Sequence, residues 1–177
     1  MAFDAFLKLD GIKGESTDRQ HKDEIDLISF SWGETNAGRA ISGGGAAAAG
    51  RVTFQDFHFT HRVDKATPLL FFACASGQHI ATATLTCRRP SAQGTTAAAP
   101  DAAVPAPKPG EFLIYQMSNV LVSSFADAGV SADEDRPVET VSLNFTQIQI
   151  EYTPQNVDGV NGTPITRGWD VRTNKKV

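Results

Sequence analysis

Apolar residues along this chain recur mostly at every second position, the spacing of a β-strand with one buried face. Residues 3–9 show it most simply, since Phe3, Ala5, Leu7 and Leu9 share one face while Asp4 and Lys8 fall on the other. The same alternation predicts further strands over 25–32, 51–61, 79–89, 111–125, 138–152 and 164–172. The pattern therefore predicts a mainly β protein built largely from antiparallel strands.

One segment departs from this period and follows the spacing of a helix. Apolar residues over 69–76 recur at i, i+3 and i+4, with Pro68 before them and Gly77 after them. Thr67 is the predicted N-cap, and Pro68 suits the first helical position, where its missing N–H costs nothing. Gly77 supplies the left-handed residue that ends the helix. We expect one short helix beside the β-structure.

The strand over 25–32 places different chemistry on its two faces. Ile28, Phe30 and Trp32 share one parity, while Ser29 and Ser31 share the other. If the aromatic parity is buried, the two serines face outward. The strands over 51–61 and 138–152 change phase midway, so we expect β-bulges near 55–56 and 146–147.

Two segments have the composition of long loops within a single domain spanning 1–177. Residues 33–50 form an extended Gly/Ala segment that contains Gly43, Gly44 and Gly45, and triple glycine is a poor strand former. Residues 90–110 hold five of the nine prolines and read as an extended hairpin loop.

Composition excludes several classes of function. The formal net charge is −4 and no basic cluster alternates with aromatic residues, so a nucleic-acid partner is not expected. The N-terminal residues lack the basic and apolar regions of a signal peptide, and no apolar run is long enough to cross a membrane. We expect synthesis in the cytoplasm, and any export by a route that reads no N-terminal peptide.

Candidate catalytic and metal-binding residues are few. His58 and His61 stand three apart on a strand, so surface or partly packed positions are expected for them rather than a metal site. His21 and His79 are isolated, and surface or capping roles are expected for them. Cys74 and Cys87 lack metal-ligand spacing; a disulfide between them stays open, although two buried thiols are favoured. No combination of nucleophile, base and orienting residue emerges, so the chain is predicted to be neither an enzyme nor a cofactor-binding protein.

The chain resembles the haemolysin-coregulated protein (Hcp) family, the tube proteins of type VI secretion systems. The residues that carry the resemblance follow one another in order from the N-terminal strand to the last. They are Phe6-Leu7-Lys8-Leu9, Lys13-Gly14-Glu15-Ser16, Ser31-Trp32-Gly33, Phe59, Asp64-Lys65, Thr67-Pro68, Cys74-Ala75-Ser76-Gly77, His79, Leu121-Val122-Ser123-Ser124, Val141-Ser142-Leu143-Asn144-Phe145, Tyr152, Pro154-Gln155 and Gly168-Trp169-Asp170.

The resemblance implies a small β-barrel with one flanking helix, assembled into a hexameric ring. It also implies that rings stack into an inner tube, which a contractile sheath drives out of the cell behind a spike protein. Small effector proteins would be carried and protected in the ring lumen, and the tube protein would move from the cytoplasm to the outside. The segment 90–110 is longer than the hairpin usual in the family.

The residues are compatible with these implications. The small polar face of Ser29 and Ser31 suits a wet lumen, and the loop with Gly43, Gly44 and Gly45 suits contact with an adjacent ring. The alternatives are a tail-tube protein of a phage-type contractile particle, a monomeric ligand-binding barrel, and an effector-bearing variant with a catalytic extension. The neighbouring genes would distinguish a phage-type tail-tube protein from an Hcp protein. The mass in solution would distinguish a monomeric barrel from a ring. The chain ends shortly after the last motif, which disfavours the third.

Overall fold

The computed structural model describes residues 3–36, 51–89, 110–129, 136–156 and 161–177, which form eleven strands and one helix. In chain order the elements are β1 Asp4–Leu9, β2 Ile25–Ser31, β3 Glu34–Asn36, β4 Val52–Phe54, β5 Phe57–Arg62, α1 Thr67–Ser76, β6 His79–Arg88, β7 Glu111–Ala128, β8 Val138–Asn144, β9 Gln147–Tyr152, β10 Ile165–Asp170 and β11 Lys175–Lys176. The fold is mainly β, as the alternation predicts.

Six of the strands close into a barrel. They follow the order β7, β6, β1, β2, β5, β8, and the pairing of β8 with β7 completes the circle. All of these pairings are antiparallel. Closure pairs most strand edges of the barrel, which would otherwise be available to another chain, although β1 and β2 pair at only two positions.

The long strand β7 joins the barrel to a smaller sheet. Along one edge it pairs with β6. Along the other, its first part pairs with β9 and its second part pairs with β8. β10 and β11 continue outward from β9, so these three strands extend from the barrel wall. A separate ribbon of β3 and β4 pairs Glu34 with Phe54 and Asn36 with Val52.

The inward-pointing side chains at alternate positions of the strands fill the barrel interior. Ala5, Leu7 and Leu9 of β1 all point into one cluster with the inward residues of the other barrel strands. Phe57 and Phe59 of β5 are among the largest fully buried side chains. Burial of each such side chain contributes about 1.5–3 kcal/mol, so the barrel interior is the main stabilising feature.

Two segments predicted as bulged strands are instead broken into separate strands. Residues 55–56 separate β4, which belongs to the ribbon, from β5, which belongs to the barrel. Residues 145–146 separate β8 from β9, which pair with different parts of β7. The phase changes therefore mark changes of pairing partner. The extended loop predicted over 33–50 is also shorter, because 34–36 form β3; residues 37–50 lie outside the described residues, as do 90–109.

The helix begins one residue earlier than predicted. Ala66, not Thr67, occupies the N-cap position and makes no side-chain capping bond, so Pro68 is the second helical residue rather than the first. Asp64 organises this turn, because its Oδ1 accepts a hydrogen bond from Ala66 N at 2.8 Å. Thr67 Oγ1 in turn accepts one from Asp64 N at 3.1 Å. Gly77 ends the helix with φ 66°, a left-handed conformation that glycine adopts without strain.

Two histidines that looked peripheral in the sequence are buried. His21 stacks on Phe6 with ring centroids 4.3 Å apart, and its ring nitrogens lie 2.9 Å from Glu24 Oε2 and 3.4 Å from Glu111 Oε1. The two carboxylates outweigh the cost of burial and raise the pKa of His21 to about 9. His61 is fully buried, and burial lowers its pKa. The sequence pattern missed both because Glu111 and Glu139, which lie against them, come from distant strands.

Two further observations concern the cysteines and the search for a membrane-spanning helix. Cys74 and Cys87 are both free thiols, as favoured, but only Cys87 is buried and Cys74 is half-buried. Burial raises the pKa of Cys87 to about 12. In the part of the chain that the structure describes, no helix has the length and apolar character needed to cross a bilayer.

Candidate functional site: the hydroxyl wall

Ser29 and Ser31 lie on the outer face of the barrel. Ser29 is opposite Thr60 of β5 and Ser31 is opposite His58. Both serines are exposed, and Ser29 Oγ lies 2.7 Å from Thr60 Oγ1. Phe30 between them turns inward and packs on the core. The two serines therefore face away from the barrel interior.

Ile28 does not share the face of Phe30 and Trp32, contrary to the sequence pattern. The register of β2 against β5 shifts between Leu27 and Ser29, and this irregularity turns Ile28 outward. Leu27 takes the inward position, and Ile28 is 53 % exposed. A β-bulge re-aims one side chain in this way, and simple alternation cannot reveal it.

A hydrogen-bonded chain extends the polar face across two more strands. Ser124 Oγ of β7 donates to Ser142 Oγ of β8 at 2.7 Å. Ser142 Oγ lies 2.6 Å from His58 Nδ1 of β5. Because Ser142 receives the hydrogen of Ser124, its own hydroxyl hydrogen is available to the imidazole. The sequence does contain a signal for these hydrogen bonds, namely hydroxyl residues at alternate positions of neighbouring strands. The order of the strands in the sheet was needed to predict which of these residues contact one another.

We call this surface the hydroxyl wall: Ser29, Ser31, His58, Thr60, Ser124 and Ser142. Five members are hydroxyl residues and the sixth is a histidine, spread over β2, β5, β8 and β7. Ser142 is buried beneath its neighbours, and Ser29, Ser31, His58 and Ser124 are exposed. Such a surface offers donors and acceptors to water or to a protein without a fixed charge.

Asp56 secures one corner of the wall. It follows β4 and accepts hydrogen bonds from Ser123 Oγ at 2.5 Å and from Asn144 Nδ2 at 2.8 Å. These bonds join the break between β4 and β5 to the paired strands β7 and β8. The wall is thus held by side chains as well as by the strand ladder.

The β3–β4 ribbon stands beside the wall and leads toward the predicted stacking loop. Trp32 and Phe54 stack with centroids 6.3 Å apart, which fixes the base of the ribbon against the barrel. A cavity of about 430 Å³ lies between this base and β9–β10. Gly43, Gly44 and Gly45 lie outside the described residues, between the ribbon ends Asn36 and Val52.

The described residues bring together no group of three or more His, Cys, Asp or Glu side chains arranged to hold a metal ion. The two buried histidines, His21 and His61, lie beside carboxylates, and neither belongs to the hydroxyl wall. His61 Nε2 lies 3.0 Å from Glu139 Oε2, and both side chains are fully buried. Neither side chain has a hydrogen-bond partner among the described residues, so this pair fills space in the barrel interior.

Comparison with known proteins assigns the family. Residues 6–152 match the family model described as type VI secretion system effector, Hcp. The chain is 42 % identical over 175 residues to protein hcp1 of Pseudomonas aeruginosa, covering 98 % of both chains. A solved type six secretion system protein superposes with a TM-score of 0.86 at 32 % identity, over 99 % of this chain and 100 % of that one. Hcp1 from Salmonella typhimurium gives 0.75 at 34 % identity over all of both chains. The chain belongs to the Hcp family of type VI secretion tube and effector proteins.

Proposed function

We propose that this protein forms homohexameric rings that stack into the inner tube of a type VI secretion system and carry small effectors in their lumen. The observation that supports this most strongly is the full-length match to hcp1, which covers 98 % of both chains. In this role the protein is a structural and carrier protein rather than an enzyme. It resides in the cytoplasm before firing and is then secreted with its spike when the sheath contracts.

Ring formation would cover the strand edges that barrel closure leaves free. The ribbon β3–β4 and the outer strands β10 and β11 lie outside the closed barrel, so their edges carry unpaired backbone groups. Ile165 of β10 and Val177 after β11 are also exposed apolar residues. Natural proteins cover such edges, and a contact between two different surfaces can close into a ring by rotation.

The hydroxyl wall is the surface that we assign to the lumen. In a ring of barrels the wall faces either the channel or the outside. Small side chains leave the channel wide, and neutral hydroxyls such as Ser29 and Ser31 stay wet without holding a passing protein through fixed charges. Cargo binding on this face would rest on many weak hydrogen bonds, which suits release after export.

Stacking is assigned to the loop with Gly43, Gly44 and Gly45. Asn36 pairs with Val52 at the open end of the β3–β4 ribbon, so the chain leaves and returns at one point. A contact made there would extend away from the barrel without disturbing its interior. This separates the stacking contact from folding of the subunit.

Shortening the segment from Gly43 to Gly50 tests the assignment. Rings examined by electron microscopy should survive while tubes disappear, and secretion into the medium should fall to background. A matched variant with the same number of residues but alanine in place of Gly43–Gly45 separates length from flexibility. If single rings also fail to form, the loop belongs to the contact between subunits. If tubes and secretion persist, the stacking assignment is wrong.

A further inference from the structure

The outer side of α1 is apolar although it faces solvent in the isolated subunit. Leu70 and Ala73 point into the core, while Leu69, Phe71 and Phe72 are 45 %, 57 % and 60 % exposed. No charged residue occurs from 66 to 78. A helix that is apolar on both sides is typical of one covered on both sides.

A recess of matching chemistry lies where two barrel strands part. β1 and β2 pair at only two positions, Phe6 with Asp26 and Leu7 with Ile25. Beyond them is a cavity of about 370 Å³. Its lining contains no charged residue and consists of Phe3, Ala5, Leu27, Ile28, Ser29 and Phe30. Ser29 also belongs to the hydroxyl wall, so the recess borders one edge of that wall. The bulge that turns Ile28 outward places it at this recess.

These two surfaces contain most of the large apolar side chains that are exposed among the described residues. Of the eight large apolar side chains exposed among the described residues, three belong to α1, and Phe3 and Ile28 belong to the recess. The helix packs on β7, which is two strands from β1 and three from β2 around the barrel. The surfaces therefore lie on different sides of one subunit, one protruding and one recessed.

We propose that the outer side of α1 in one subunit packs into the β1–β2 recess of the next subunit around the ring. This rests on the proposed function, because the occupant of each surface is a second copy of this chain. Two different, complementary surfaces are what a heterologous contact needs, and such a contact repeats until the ring closes. Because both surfaces are uncharged, neither leaves a buried unpaired charge when they meet.

Phe72→Glu tests the contact directly, with Gln78→Glu as the matched control, since Gln78 is exposed just beyond the helix. Light scattering at micromolar concentration should show at least a tenfold fall in the ring fraction for Phe72→Glu. The control should keep the wild-type ring. Circular dichroism checks that the released subunits are folded.

A crosslink identifies the partner surface. In a Cys74→Ser background, Phe72→Cys with Ile28→Cys should join neighbours through a short thiol crosslinker, in a ladder that stops at six subunits. Phe72→Cys with Thr173→Cys, an exposed turn residue, should give no ladder. This test holds even if Phe72→Glu fails to fold.

The outcomes separate this contact from the ring itself. A wild-type protein that is monomeric contradicts the proposed ring. A wild-type ring in which Phe72→Glu still assembles, or in which the Phe72–Ile28 pair gives no ladder, overturns the contact while the ring stands. Products that grow beyond six place the contact between stacked rings and also overturn it.

Discussion

His61 Nε2 and Glu139 Oε2 lie 3.0 Å apart on adjacent strands, and solvent reaches neither side chain. Burial lowers the pKa of His61 and raises the pKa of Glu139, so both directions favour a neutral pair. Neither side chain has a hydrogen-bond partner of good geometry among the described residues, although the two atoms are close. We therefore expect an uncharged imidazole and an uncharged carboxyl group side by side between β5 and β8.

Substitution of Glu139 distinguishes the neutral pair from an ionic one. Glu139→Gln keeps a donor for His61 and should cost under about 1.5 kcal/mol in unfolding free energy. Glu139→Ala leaves a cavity and an unpaired imidazole and should cost about 2–4 kcal/mol. Urea denaturation of both variants measures the difference. Equal losses for Gln and Ala would indicate an ionised pair and contradict the neutral assignment.

His21 should make the protein less stable at alkaline pH. Its folded pKa of about 9 lies above the unfolded value of 6.5, so its contribution is fully present below pH 6.5 and lost as pH rises through 9. Because Glu24 beside it is partly reached by solvent, we expect His21 to contribute about 1–2 kcal/mol to the free energy of unfolding. This is less than the whole pKa shift would give. Unfolding free energies of wild type and His21→Gln between pH 6 and 9.5 measure this difference.

In that comparison the other titrating groups are common to both proteins, so their effects cancel. The difference in unfolding free energy between wild type and His21→Gln should narrow steadily above pH 6.5. A gap that stays constant from pH 6 to 9.5 would show that His21 is not held protonated by Glu24 and Glu111.

The fold was predictable where the signal is local. Alternation on β1 and the helix from Pro68 to Gly77 depend on neighbouring residues, and both are present, although the helix starts at Thr67 rather than after it. The exposed position of Ile28 was not predictable, because it depends on register against β5. The burial of His21 depends on Glu111, ninety positions away, for the same reason.

The candidate site, like the fold, was predictable only where neighbouring residues determine the structure. Outward orientation of Ser29 and Ser31 followed from the parity of Phe30 alone. The bonds that connect His58, Ser142 and Ser124 required the order β5, β8, β7, which the sequence does not reveal. Non-local strand pairing is thus the physical reason that most of the hydroxyl wall escaped prediction.

The Ala/Pro-rich segment should be dispensable for folding. β6 and β7 are already joined at its base, where Arg89 N donates to Gly110 O at 3.0 Å and Arg88 pairs with Glu111. Replacing residues 91–109 by Asn-Gly shortens the loop, which changes closure entropy little. The melting temperature should stay within about 3 °C of wild type, a shift corresponding to about 1 kcal/mol for a domain of this size. Aggregation of the shortened protein would show that the segment packs on the barrel or on a neighbour.

Ser31→Arg should impair cargo retention without breaking the ring. Ser31 is exposed on the hydroxyl wall and contributes nothing to the core, so folding should be unchanged. One added charge per subunit would crowd the lumen with positive charge. Thr17→Arg adds the same charge at an exposed loop position away from the wall and serves as the control. Co-purification of a cognate effector measures retention.

Normal retention by the Ser31→Arg ring would contradict the lumen assignment. Loss of the ring itself would instead place Ser31 at a contact between subunits. The Thr17→Arg ring should retain the effector in either case, since its charge lies outside the proposed channel.

The assembly state is the central claim, and light-scattering mass of the purified protein at micromolar concentration tests it most directly. We expect a single species with six times the 18.9 kDa mass of one chain. A monomer at that concentration would contradict the ring, and with it the lumen, the stacking loop and the contact between α1 and the β1–β2 recess.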